Sequence, residues 1–340
     1  MEISGRSQDE TLVQLEESSV DRRGRRTMGG FVQRYGVIIA WVAVFAYFSV
    51  MRPQSFPKLA TLQLIFGTQS VILITALGLV FSMAVGEYDL SVGSLVGFGS
   101  TMFAVLSGRH HWPVILALLL TLFLCFLIGS VNAILSVYLG VQSIIVTLGT
   151  GTLLAGLTLA ISNSGVVTGI PIGFTNFLTR QIFGLALPFY LGLILMVVAW
   201  FILQQMPLGR RMIFVQENRE VARLAGLRVN RIRAGGLIAT STIAGLAGVM
   251  LAGMSQAADP QSGASFLLPA FAAVFLGSTA IVPGRFNAIG TFAAVYFLVT
   301  GITGLDYLGY AGWPGQVFYG GSLVIAVSLS HLAGKRATRN

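Results

Sequence analysis

Ten continuous apolar runs divide this sequence from end to end, each near the ~20 residues that an α-helix needs to cross a lipid hydrocarbon core. They cover roughly residues 33–51, 62–85, 92–107, 113–139, 143–162, 187–205, 232–254, 267–281, 286–304 and 314–332. One soluble core cannot hide that much apolar chain. Only 10% of the residues are charged, against about 25% in an ordinary soluble domain. Barrel strands alternate polar and apolar residues over about ten positions, whereas these runs are unbroken. The expected fold is therefore an all-α polytopic membrane protein with about ten transmembrane helices in a lipid bilayer. The 41 glycines suit it, because small residues let membrane helices approach closely. The runs at 92–107 and 267–281 are short, which makes them candidates for half-helices or re-entrant segments.

Ten crossings put both termini on one side. With the N-terminus inside, 17 of the 21 Lys and Arg residues fall on the cytoplasmic side, and only Arg52, Lys58, Arg109 and Arg180 lie outside. An odd number of crossings would break this bias, which is the positive-inside signature. It also accounts for the net charge of +9 without nucleic acid, since basic residues face an anionic leaflet. Residues 1–32 are polar, carry no signal-peptide core and are expected to form a disordered cytoplasmic tail. Residues 33–332 form the expected transmembrane domain, and 333–340 a second cytoplasmic tail.

One stretch breaks the apolar pattern. Residues 206–233, MPLGRRMIFVQENREVARLAGLRVNRIR, form a basic insert of about 28 residues on the cytoplasmic side. Pro207-Leu208-Gly209 opposes continuation of the preceding helix. Asn218 can cap a short helix over Arg219 to Leu224, and Gly226 can stop it in the left-handed conformation. Ala222 and Ala225 are small enough to admit a partner surface. A solvated basic loop would carry the same composition, so the residues alone leave both readings open. Outside, residues 162–187 and 254–267 form two polar loops.

A second feature is the turn Gly86-Glu87-Tyr88-Asp89-Leu90-Ser91-Val92-Gly93-Ser94. Asp89 or Ser91 fits the N-cap of the helix that follows; a gate or contact turn is the functional alternative. Polar side chains also stand inside the runs, among them Gln69, Asn132, Thr147 and Thr150. In lipid such groups must be paired. They are candidates for a path taken by a neutral hydroxylated solute, and hydrogen bonding between helices explains each equally.

Several chemistries are missing. No acidic or basic residue lies deep in a run, unlike in ion-coupled carriers and pumps. Lys58 and Lys335 follow no glycine-rich loop, so there is no P-loop. His110, His111 and His331 have no metal spacing, and Cys125 stands alone in an apolar run. No cofactor, metal site or catalytic constellation is expected. An energy source must come from another protein, or from a gradient acting on a neutral solute.

Five stretches together resemble the permease subunits of bacterial ABC importers of the ribose/simple-sugar type. They are EYDLSVGSLVGFGS (87–100), IIVTLGTGTLLAGLTL (144–159), GRRMIFVQENREVARLAGLRVNRIR (209–233), IAGLAGVML (243–251) and AAVFLGSTAIVPGRFNAIGT (272–291). The similarity covers about residues 35–332. Members usually carry Gly-Gly-Ile-Asp where Gly86-Glu87-Tyr88-Asp89 stands here, and often a Gly-Gly pair in place of Val282-Pro283-Gly284.

The resemblance implies a transport subunit of the bacterial inner membrane that is not itself an enzyme. It implies a second permease copy, the same chain or a sister chain, an ABC ATPase pair beneath and a periplasmic sugar-binding protein above. It implies that Glu217 to Leu227 is the coupling helix, with Glu217, Asn218, Arg219, Glu220 and Arg223 as polar contacts and Ala222 and Gly226 at its small positions. Asp89, Leu90, Ser91 and Gly93 belong to the family's motif turn. The implied cargo is a monosaccharide, with a polyol, a nucleoside or a furanosyl signal molecule as alternatives.

Overall fold

The computed structural model describes residues 34–310 and 312–337. The expected tail at 1–32 and residues 338–340 lie outside them. Each of the ten apolar runs is helical. In chain order the helices are α1 (Arg34–Met51), α2 (Leu59–Thr68), α3 (Ser70–Met83), α4 (Val92–Ala104), α5 (Val114–Ala133), α6 (Ser143–Ser162), α7 (Ile172–Thr179), α8 (Leu187–Trp200), α9 (Pro207–Glu217), α10 (Arg219–Leu224), α11 (Val229–Ser255), α12 (Ala264–Gly277), α13 (Ala288–Tyr307) and α14 (Trp313–Ala337). α4, α5 and α8 each end in a π-helical turn, Val105–Arg109, Ile134–Tyr138 and Phe201–Gln205.

Among the described residues, six helices are long and apolar enough to cross a membrane: α1, α5 and α8 (the latter two with their π turns), α6, α11 and α13. The run at 62–85 is two helices rather than one straight helix. α2 and α3 meet at a 43° bend, where the Ser70 hydroxyl donates to Gly67 O at 2.8 Å. A side chain intruding on the backbone ladder is a recognised cause of such kinks. Counted as one span, the pair brings the number to seven. α12 has 14 residues, about 21 Å of helix, which is shorter than a ~30 Å hydrocarbon core. α14 runs on through residues 333–337, which the sequence placed in a tail.

α11 is the central post, packed against α3, α4 and α5. Its small residues make that possible. A Cβ added to Gly248 would lie 2.2 Å from Val96 O of α4, so the two backbones touch there. α3 is buried along its whole length. Around this centre the outer helices turn apolar side chains outward: Ile115, Leu119 and Phe123 lie on one face of α5 and are exposed. An exposed apolar stripe of this kind marks a surface covered by lipid or by another protein.

The connecting segments gather into two sets. At one end Glu87 meets Arg219 and Arg233, Glu217 meets Arg285, and Ile281 N donates to Arg34 O. At the other end the two polar loops join: β1 (Val167–Thr168) pairs antiparallel with β4 (Ala257–Ala258), in register Val167↔Ala258. Arg109 donates to the carbonyls of Ile161 and Ser162 there. The 162–187 loop is itself structured, holding α7 and a small hairpin of β2 (Gln181–Ile182) and β3 (Leu185–Ala186).

Candidate functional site

The basic insert folds into two helices. Pro207 does close off the preceding helix, but it also opens α9, where its missing N–H and fixed φ suit the first helical position. A Cβ on Gly209 would fall 2.2 Å from Leu203 O, so glycine lets α9 fold tightly back on the π turn. Met212 and Val215 face inward, while Arg210 and Arg211 face out. A groove of about 400 Å³ runs between these arginines, Phe214, Ala225 and Leu227.

α10 follows the local chemistry read from its residues. Asn218 Oδ1 accepts from the N–H groups of Glu220 and Val221, both at 3.1 Å. Gly226 ends the helix at φ +78°, a left-handed conformation strained for residues with a side chain. The orientation differs from the expectation for Ala222. Its side chain is 0% exposed, packed in the chain's own apolar cluster with Val215 and Val229, so it offers no surface to a partner. The outward face holds Val221, Leu224 and Ala225, flanked by Glu220 and Arg223, which pair at 3.9 Å. Leu224 is 84% exposed.

Two of the expected polar contacts reach from this segment to other parts of the chain. Arg219 Nη2 donates to Glu87 Oε1 at 2.8 Å and to Gly86 O at 2.9 Å. Glu217 pairs with Arg285 at 3.5 Å. Glu87 Oε1 also accepts from Arg233 Nε at 2.6 Å. The Glu87 side chain is 2% exposed, Arg233 12% and Arg219 43%. A carboxylate this deep is costly to bury unpaired, and the two arginines pair it. Sequence reading placed Arg233 only as a topology signal, because its partner lies 146 positions away.

The motif turn between α3 and α4 is anchored on its other side by polar residues from the helices. Asp89 is fully buried, and its Oδ1 accepts from Ser91 N at 3.0 Å and Ser91 Oγ at 2.5 Å. Ser91 occupies the N-cap position of α4, yet its hydroxyl caps nothing and turns to Asp89 instead. Asn132 Nδ2 of α5 donates to Ser91 Oγ at 3.2 Å, and Thr150 of α6 donates to Asn132 Oδ1 at 2.7 Å. Thr147 Oγ1 accepts from Leu90 N at 3.0 Å. So Asn132, Thr147 and Thr150, three of the four candidate path residues, tie α5 and α6 to the turn. The fourth, half-buried Gln69, sits at the α2–α3 break, away from them. Gly93 backs onto Gly263, whose carbonyl would lie 2.7 Å from an added Cβ.

Burial pushes the Asp89 carboxyl up to about 6, against hydrogen bonds from the Ser91 side chain and backbone that favour the charged form. Among the described residues, Asp89 Oδ2 and Ser241 Oγ have no hydrogen-bond partner. Elsewhere, a cavity of about 210 Å³ opens between α4, α6 and the α11–α12 connection, with Ser94, Thr158 and Gln261 on its wall. Among the described residues no group of His, Cys, Asp and Glu could hold a metal ion.

α10 is thus bonded to a buried turn that is itself bonded to the helical bundle. A family model described as the permease component of branched-chain amino acid transport systems matches residues 61–327. The chain belongs to this permease family. It is thus a transport subunit and not an enzyme, as the motifs implied. The permease is 28% identical over 305 residues to the D-allose transport system permease protein AlsC of Escherichia coli K12, covering 90% of this chain and 94% of that one. It is 32% identical over 303 residues to the autoinducer 2 import system permease protein LsrD of Escherichia coli O9:H4, covering 86% and 92%. LsrD of Shigella flexneri matches to the same extent. No solved structure matches.

Proposed function

We propose that the chain is the membrane-spanning subunit of an ATP-binding cassette importer in a bacterial inner membrane, with α10 as the helix that engages the ATPase. The observation that carries this reading is α10 itself. It is a short helix, capped by Asn218 and stopped by Gly226, that keeps apolar Val221 and Leu224 in the open. Large apolar side chains left exposed on a helix beside a membrane domain mark a protein contact. The partners are an ABC ATPase pair at this end, a second permease copy alongside, and a periplasmic binding protein at the end holding α7 and the β1–β4 pairing.

Ten crossings with both termini cytoplasmic fit the lysine and arginine bias and the gathering of alternate connections at opposite ends. α2 with α3 then forms one broken crossing, and α12 with its preceding loop another. The cargo is a monosaccharide or a similar small neutral hydroxylated solute: no run carries a charge deep inside to pair with an ion, and the relatives are named for D-allose and autoinducer 2. A gradient-driven carrier for neutral solutes is the reading it displaces. Reconstitution decides between them, using labelled D-allose and D-ribose as probes. Uptake that needs the co-purified ATPase and internal ATP supports the importer. Uptake by the permease alone, following the solute gradient, overturns it.

A further inference from the structure

The turn from Gly86 to Ser91 is bonded to α10, α11, α6, α5 and α12. Arg219 of α10 and Arg233 of α11 hold Glu87. Ser143 and Thr147 of α6 hold the backbone of Tyr88 and Leu90, and Asn132 of α5 holds Ser91. The Tyr88 ring stacks on Phe275 of α12 at 6.4 Å and 19°. α4 starts where this turn ends. Among the described residues, Arg219 is the α10 side chain that hydrogen-bonds the turn.

We infer that Glu87 is a positioning residue for transport: it is the point through which movement of α10 is passed to α4, α5, α6 and α12. This rests on the reading of α10 as the ATPase-facing helix. The chemistry suits the role. One buried carboxylate oxygen holds a guanidinium from the outer helix and another from the central post, and charge-assisted bonds of this kind are short and strong. Apolar contact alone would let α10 slide over the bundle, because Ala222 presents one methyl group to its cluster. The Glu87–Arg219 bond fixes its direction and distance. Gly86 allows the turn its shape: it sits at φ +74°, and its carbonyl takes a second bond from Arg219.

The test uses the assembled importer, spin-labelled at Arg228→Cys in one preparation and Phe183→Cys in another. Arg228, just past α10, and Phe183 are exposed at opposite ends of the molecule, and the one native cysteine, Cys125, is buried. The distance between equivalent labels on two permease copies is read without nucleotide and with ATP and vanadate. Both label pairs shift in the otherwise unsubstituted complex. With Arg219→Gln the Arg228 pair still shifts and the Phe183 pair loses most of its shift; Arg219→Lys restores part of it. Should Arg219→Gln fail to assemble, Glu87→Asp keeps the charge while shortening the reach by about 1.5 Å, and the same loss at Phe183 is expected. An undiminished Phe183 shift in either variant, with the Arg228 pair responding, overturns this inference alone. An Arg228 pair silent to nucleotide in the unsubstituted complex overturns the coupling-helix reading as well.

Discussion

Asn132 Nδ2 donates to Ser91 Oγ at 3.2 Å, joining α5 to the first residue of the α4 helix entry across 41 positions of sequence. Its Oδ1 is held in turn by Thr150 at 2.7 Å. Both capacities of the amide are thus used inside the bundle, and the side chain is 0% exposed. Asn132→Leu keeps the volume and removes both bonds. Inter-helix hydrogen bonds in membranes are worth about 0.6–1.7 kcal/mol each, so a loss of about 1–3 kcal/mol is expected. It would be read as a lower unfolding midpoint of the purified permease.

Asp89 makes stability depend on pH. Its carboxyl titrates near 6 in the folded chain and at 3.8 when unfolded. Between those values the folded state binds the proton that the unfolded state has released, so stability falls as pH rises from about 4 to 6 and is level above. A shift of this size corresponds to about 3 kcal/mol at most. Asp89→Asn is expected to flatten the slope in that window. The check is the unfolding midpoint of both proteins at pH 4.5 and 7.

Two neighbours on α10 should separate folding from docking. Ala222→Leu forces a larger side chain into the cluster of Val215 and Val229, and overpacking of this kind costs about 1–3 kcal/mol. Leu224→Asp changes a side chain that touches little of its own chain, and surface changes usually stay within about 0.5 kcal/mol. The permease carrying Leu224→Asp is expected to melt normally and to lose co-purification with the ATPase. Calorimetry and pull-down on the same preparations give both answers.

Gly226 stops α10 at φ +78°, with nothing within 4 Å of an added Cβ. The cost of a side chain there is conformational, about 1–2 kcal/mol, and local to the end of the helix. Gly226→Asp is expected to leave assembly intact and to reduce ATP-driven uptake. Wild-type uptake with normal assembly would contradict a coupling role for this segment.

Much of α10 was legible in the sequence because caps and stops are local chemistry: Asn218 and Gly226 act on residues within one turn of themselves. The apolar runs were legible as helices for the same reason. What the sequence left open depends on what lies across from a residue. Ala222 is small whether it faces a partner or the core, and only packing against Val215 and Val229 shows which. Asn132 and Thr150 read equally as path or as glue until Ser91 is placed between them. Glu87 looked like a departure from the family's Gly-Gly run, and its meaning came from arginines 132 and 146 positions away. The bend between α2 and α3 carries no proline, so nothing in the apolar pattern marked it.

The contact made by Leu224 tests the central claim most directly. A photo-reactive amino acid placed at position 224, in cells expressing the whole importer, should on illumination give a covalent adduct of the permease with its ATPase, and the same residue at position 183 should give none. An intact complex in which position 224 forms no ATPase adduct would contradict α10 as the coupling helix.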